Sequence, residues 1–128
     1  MSLRSPLGRV RGLGAAGSGV HHWWVQRMTA VALVPLGIWL VVSLLALPSL
    51  DFVTVVSWMG GTWTASLLVL ALLTASWHSA LGIQVVVEDY VHDHGLKTLS
   101  LMLSGFVHVV IAVAGSFAVL RIAFGSPL

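Results

Sequence analysis

The sequence predicts an all-α membrane protein with three transmembrane helices, because its composition, its scarcity of charge and its long apolar runs all favour that fold class. Of 128 residues, 58% are hydrophobic and 8% are charged, and the mean hydropathy is +1.00. A soluble domain has about a quarter of its residues charged. This chain could not give a folded core a polar surface, so we expect the lipid bilayer to surround it. Its length suits one domain.

Three uncharged runs predict the helices. Each is at least as long as the roughly 20 apolar residues that a spanning helix needs, and their order along the chain is 28–47, 52–87 and 98–120. Extended to the flanking polar residues, they give helices near 25–47, 62–90 and 98–122. Gly60 and Gly61 mark the end of the loop before the second helix, and Pro35 predicts a kink in the first.

The distribution of arginine predicts the orientation. The first loop carries only Asp51, whereas four arginines precede or open the first helix: Arg4, Arg9, Arg11 and Arg27. The positive-inside rule then puts the N-terminus in the cytoplasm and, after three spans, the C-terminus in the periplasm. We accordingly divide the chain into a cytoplasmic segment (1–24), a three-helix anchor domain (25–122) and a periplasmic tail (123–128).

Composition also limits the chemistry. The basic residues are too few to form a nucleic-acid-binding surface, so a membrane surface is the more suitable partner. The chain has no cysteine, which excludes disulfides and cysteine-ligated iron–sulfur clusters within it.

A histidine in the second run is the first candidate for a functional site. His78 lies about ten residues before the predicted cytoplasmic interface, hence about 12–15 Å inside the hydrocarbon, where ionisable groups are costly. Gly82 follows four residues later on the same face, and small neighbours would admit a flat macrocycle. His78 is therefore a candidate heme ligand. The alternative is a histidine that hydrogen-bonds another helix and binds nothing.

A second histidine, His108, lies at a similar depth in the third run. Together with His78 it could hold one heme within this chain, or a partner chain could supply the other ligand. Taken alone, the position of His108 favours a hydrogen-bonded contact between helices.

An Asp-Tyr pair lies where the second helix leaves the membrane. The step from His78 to Asp89 returns to within roughly 20° of the same helix face, about 16 Å further along. Tyr90 could be an aromatic anchor at the interface, and Asp89 a solvated acid. Alternatively, the phenol donates to a quinone carbonyl while the carboxylate orients it or relays protons.

Arg27 enters the membrane at the start of the first helix. Arginine pairs well with carboxylates such as heme propionates, but it can also extend to lipid phosphates. The sequence leaves open whether His21 and His22 are solvated or assist at the propionates.

These motifs resemble a known family. His78-x10-Asp89-Tyr90, with Gly-Val-His-x4-Gln-Arg27 before the first of three helices, resembles the small membrane-anchor subunit, conventionally called D, of succinate dehydrogenase (respiratory complex II). The resemblance extends over roughly residues 15–122 and has an alphaproteobacterial character.

The resemblance implies more than spacing does. It implies half of a helical bundle that shares heme b with a second anchor subunit (C), each subunit supplying one axial histidine, here His78. It further implies a ubiquinone site at Asp89 and Tyr90, and Arg27 near the propionates. The iron–sulfur and flavoprotein subunits would bind at the cytoplasmic face of the bacterial inner membrane, and succinate would react there rather than in this chain.

A different class of protein remains an alternative. The chain could be a stand-alone three-helix b-type cytochrome with His78 and His108 as paired ligands, or a structural subunit of another respiratory complex.

Overall fold

The fold consists of helices connected by short loops. A computed structural model describes residues 16–125, with side chains from residue 19 onward. Three of the helices are long and apolar enough to cross a membrane, and the order is α1 (Ala16–Leu45), α2 (Phe52–Met59), α3 (Thr62–Tyr90) and α4 (His94–Ala123). The described part contains no strand. The predicted all-α fold with three membrane-spanning helices is confirmed.

Parts of the chain used for the sequence predictions are not described. Arg4, Arg9 and Arg11, on which the predicted orientation depends, lie outside the described residues, as do the last three residues of the predicted tail. Pro35 lies inside α1, which is continuous from Ala16 to Leu45, and the kink at this residue stays a prediction.

Two predicted helix boundaries differ from the structure. α3 has the predicted limits, but α1 begins at Ala16 rather than near residue 25, and α4 begins at His94 rather than near 98. The early start of α4 has a local cause, because Asp93 Oδ1 accepts a 2.7 Å hydrogen bond from the Leu96 amide and so caps the helix. The connection between α3 and α4 is thereby reduced to three residues, 91–93.

The short helix α2 was not predicted, since its residues were assigned to a loop. Asp51 caps it through a 3.0 Å hydrogen bond from the Thr54 amide. Hydrogen bonds from the side chain of Ser49 and from the amide and hydroxyl of Thr54 lower the pKa of Asp51 to about 2, so the cap is ionised at neutral pH. Trp58 of α2 stacks on Trp39 of α1 with ring centroids 6.1 Å apart.

The long helices form an open row with α3 in the middle. α3 contacts both α1 and α4, whereas no Cα atom of the described α1 lies within 8 Å of one in α4. A Cβ atom on Gly115 of α4 would meet the end of the Leu72 side chain of α3, so the glycine leaves room for that leucine between the two helices. Few side chains are buried within the described chain, namely Leu36, Ala65, Ser76 and Val119. Most apolar side chains thus face outward, toward lipid or a partner.

Candidate functional site

One face of α1 carries three polar residues. His22, Gln26 and Thr29 recur at helical spacing and are half-buried. A Cβ atom on Gly82 of α3 would lie 3.7 Å from Gln26 Nε2, so Gly82 faces this row. The row brings polar groups of α1 to the same face of α3 that carries His78.

His78 is hydrogen-bonded through one ring nitrogen. Its Nδ1 lies 2.9 Å from Thr29 Oγ1, and the Thr29 hydroxyl also contacts the carbonyl oxygens of Val25 at 2.9 Å and Gln26 at 3.1 Å. Within the described residues Nε2 has no hydrogen bond, so this nitrogen remains available to a metal ion.

His108 has both ring nitrogens engaged. Nδ1 lies 2.7 Å from the carbonyl oxygen of Ser104, which can only accept, so Nδ1 donates. Nε2 lies 3.1 Å from Ser79 Oγ and accepts from that hydroxyl. A neutral imidazole is satisfied by one donated and one accepted bond. The arrangement suits the interpretation of His108 as a polar contact between α3 and α4.

Two buried polar atoms on the α1 row have no partner in the described chain. They are His22 Nε2 and Gln26 Oε1. An unsatisfied buried group costs about 1–3 kcal/mol, which favours a partner group or water beside this row. The sequence predictions include Gln26 in the Gly-Val-His-x4-Gln-Arg27 motif but give it no role, although its spacing from His22 and Thr29 was the available signal.

Arg27 lies beside the row rather than on it. Its side chain is exposed, and its guanidinium carbon lies 5.6 Å from the ring centroid of Trp23, a cation–π distance. Trp23 and Trp24 are exposed and meet edge to face at 5.4 Å. Arg27 is therefore held at the membrane-entry end of α1 by an aromatic neighbour, accessible from outside the chain.

Asp89 and Tyr90 lie at the end of α3. Both are exposed, Tyr90 to 78%, and neither side chain makes a hydrogen bond to another described residue. The neighbouring loop is tied down by Lys97, whose Nζ donates to the carbonyl oxygen of Glu88 at 2.9 Å. Tyr90 lies twelve positions after His78, about 18 Å along the helix, so the two side chains are too far apart to contact one small group.

The donor set around His78 suits a heme better than a bare metal ion. No three His, Asp or Glu side chains of the described chain converge as a metal site. A heme needs only axial ligands from protein. His78 offers one ring nitrogen that makes no hydrogen bond within the described residues, and Gly82 lies on the same helix face. Sequence reasoning missed Thr29, the residue that contacts this histidine.

Comparison with known proteins identifies the family. A model of the succinate dehydrogenase/fumarate reductase transmembrane subunit matches residues 1–119. The chain belongs to this family.

Curated relatives agree with that assignment. A succinate dehydrogenase hydrophobic membrane anchor subunit from Rickettsia bellii is 32% identical, with 91% of this chain and 94% of the relative aligned. The protein of the same description from Rickettsia conorii is 27% identical over 88% and 90%. A succinate dehydrogenase membrane anchor subunit from Reclinomonas americana is 27% identical over 67% and 74%. No solved structure matches the chain.

The predicted family is confirmed. The chain is a multi-pass membrane-anchor subunit of the succinate dehydrogenase/fumarate reductase family, and it is expected to assemble with other subunits of such a complex.

Proposed function

We propose that this chain anchors succinate:ubiquinone oxidoreductase, shares heme b with a second anchor subunit, and forms part of the ubiquinone-reduction site. His78 supplies one axial ligand to the heme iron. Tyr90 and Asp89 serve the quinone, and electrons arrive from the iron–sulfur subunit. The flavoprotein subunit oxidises succinate, so this chain takes part in the enzyme without binding succinate.

The contrast between the two intramembrane histidines carries the proposal. Among the described residues, His108 uses both ring nitrogens in hydrogen bonds, whereas His78 uses only Nδ1. Of these two imidazoles, His78 alone can bind iron without breaking such a bond. This counts against a lone cytochrome with paired ligands from His78 and His108, and it supports a second ligand from a partner.

Further features support a partner beside α1. His22 Nε2 and Gln26 Oε1 are buried without partners among the described residues, and Arg27 is exposed at the same end of the helix. A group with carboxylates near the interface would suit the guanidinium, since arginine binds carboxylates in a forked geometry. When bound, heme b would store one electron at a time between the iron–sulfur subunit and quinone.

The quinone part of the proposal depends on the position of Tyr90. Quinone is soluble in the membrane, yet its reduction requires protons from water, so a site at the end of α3 suits both needs. The Tyr90 hydroxyl would donate to a carbonyl oxygen that gains negative charge during reduction. Protons would come from the adjacent polar residues, namely Asp89, His92, Asp93 and His94.

The polar α3–α4 connection then belongs on the side where the iron–sulfur and flavoprotein subunits bind. The proposed location is the bacterial inner membrane, with the N-terminus in the cytoplasm and the C-terminus in the periplasm.

The orientation can be tested with introduced thiols, since the chain has no cysteine of its own. We expect Ser49→Cys, in the loop after α1, to react with an impermeant maleimide added to intact spheroplasts. His92→Cys, in the connection between α3 and α4, should react only after lysis. The reverse pattern would invert the topology and move Tyr90 to the periplasmic side.

The heme assignment predicts different effects for two matched substitutions. In the purified complex, His78→Leu should remove or alter the bis-imidazole absorption spectrum, because a side chain without nitrogen cannot bind iron. His108→Leu should leave the spectrum largely intact. Loss of the spectrum in both variants would favour the lone cytochrome with His78 and His108 as paired ligands, and retention in His78→Leu would refute the assignment of His78. Quinone reduction can persist in His78→Leu, because the iron–sulfur subunit can reduce quinone directly.

Arg27→Lys should weaken heme retention modestly. Lysine keeps the charge but loses the paired hydrogen bonds, and the expected cost is about 1–3 kcal/mol, the scale of a hydrogen bond to a charged group. Heme content during titration with a heme-scavenging apoprotein measures this cost. Arg121→Lys, at the opposite end of the membrane, is the matched control. Equal heme loss in both variants, or in neither, would argue against contact with a propionate.

Tyr90→Phe keeps the ring and removes only the hydroxyl. We expect succinate:quinone turnover to fall by a factor on the order of a hundred, the scale for loss of one positioned donor. Succinate oxidation with an artificial acceptor that takes electrons before the quinone site should be unchanged. Unchanged quinone turnover would make Tyr90 an interfacial anchor, and a parallel loss of both activities would indicate defective assembly.

A further inference from the structure

We infer that Thr29 is a positioning residue for His78: its hydroxyl accepts a hydrogen bond from Nδ1–H, selects the tautomer with a free Nε2, and makes that nitrogen a stronger heme ligand. The inference rests on the proposed role of His78 as an axial ligand and identifies the residue that prepares it. Membership of the family does not by itself give Thr29 a role.

The three neighbours of the Thr29 hydroxyl favour one direction for its hydrogen bond with His78. The Thr29 hydroxyl has one proton and three neighbours: the Val25 and Gln26 carbonyl oxygens at 2.9 and 3.1 Å and His78 Nδ1 at 2.9 Å. Carbonyl oxygens can only accept. The hydroxyl therefore satisfies all three contacts when it donates its proton to the carbonyls of its own helix and accepts a hydrogen bond from Nδ1–H of His78. The lone pair of His78 is then on Nε2.

This contact also fixes the orientation of the ring. Donation to the preceding turn holds the Thr29 hydroxyl in one rotamer, as is common for threonine inside apolar helices. The contact joins α1 to α3 across 49 positions of sequence, so the ring is held by a neighbouring helix rather than by its own. Nε2, on the opposite side of the imidazole, is directed away from Thr29.

The chemical effect follows from donation at Nδ1. A histidine that donates its other N–H to an acceptor is a more basic ligand, and removal of such an acceptor typically weakens metal binding by about 10–100-fold. A more basic axial ligand stabilises the ferric state more than the ferrous state. Thr29 should therefore hold the heme reduction potential below the value reached without the hydroxyl.

A purely structural role for Thr29 is the competing explanation. Polar contacts between membrane helices contribute to packing without any ligand, and the Ser79–His108 contact is an example within this chain. A packing role would change assembly or thermal stability, but it would not change the electronic state of an assembled heme.

The test compares assembled complexes carrying Thr29→Val, Thr29→Ser or Thr98→Val. Valine matches threonine in shape but has no hydroxyl, and serine restores the hydroxyl. Thr98 is the matched control, because its hydroxyl also donates to a carbonyl one turn earlier, His94 O at 2.9 Å, but is exposed. The readouts are the heme midpoint potential, the electron paramagnetic resonance g values of the oxidised complex, and the rate of heme loss.

We expect Thr29→Val to shift the midpoint potential to a more positive value, to alter the largest g value, and to bind heme about 10–100-fold more weakly. Thr29→Ser and Thr98→Val should behave like the parent complex. If Thr29→Val does not assemble, Thr29→Ala provides the same test, since it removes the hydroxyl from a smaller side chain.

Wild-type potential and g values in the variants without a hydroxyl would overturn the inference. If His78→Leu nevertheless lost the heme, the proposed function would stand and only the role of Thr29 would fail. If His78→Leu retained the bis-imidazole spectrum, the assignment of His78 would fail and the Thr29 inference with it.

Discussion

The arrangement of the helices depends on the satisfaction of polar groups within the membrane. Water is absent from the hydrocarbon region, so an imidazole placed there must find its partners in protein. His78 and Ser79 are consecutive in α3 but contact different neighbours, since His78 meets Thr29 of α1 and Ser79 meets His108 of α4. These two hydrogen bonds thus link all three long helices at one depth.

This polar layer gives the two histidines unequal roles. His108 completes its hydrogen bonds within the chain, so it contributes to the contact between α3 and α4. Within the described residues His78 completes only one, and His22 Nε2 and Gln26 Oε1 are buried without partners there. A surface that combines unsatisfied polar atoms with exposed apolar side chains is suited to association with another chain. In the proposed function, the complete heme site would form only in the assembly.

Sequence alone predicted the parts of this protein that depend on local composition. The uncharged runs gave three spanning helices, and α3 has the predicted limits because Gly61 precedes it and charged residues end it. α2 was missed because eight residues are too few for a periodicity argument, and the early start of α4 depends on the Asp93 cap. The depth of His78 could be counted, but its contact with Thr29 depends on how α1 and α3 are rotated. Asp89 and Tyr90 make no side-chain hydrogen bond within the described residues, so their proposed role depends on groups outside this chain.

The open row of helices has a consequence for biosynthesis. Among the described residues, Cα atoms of α1 and of α4 approach α3 within 8 Å but not each other, so the closest backbone contacts are between helices that are near in sequence. α4 follows α3 after three residues and can pack against it as soon as it leaves the translocon, while α1 packs on α3 and on Trp58 of α2, both of which precede α4. Contacts between neighbours in sequence form quickly and leave few intermediates with unpaired surfaces. The newly made subunit can thus reach its final helix arrangement one helix pair at a time.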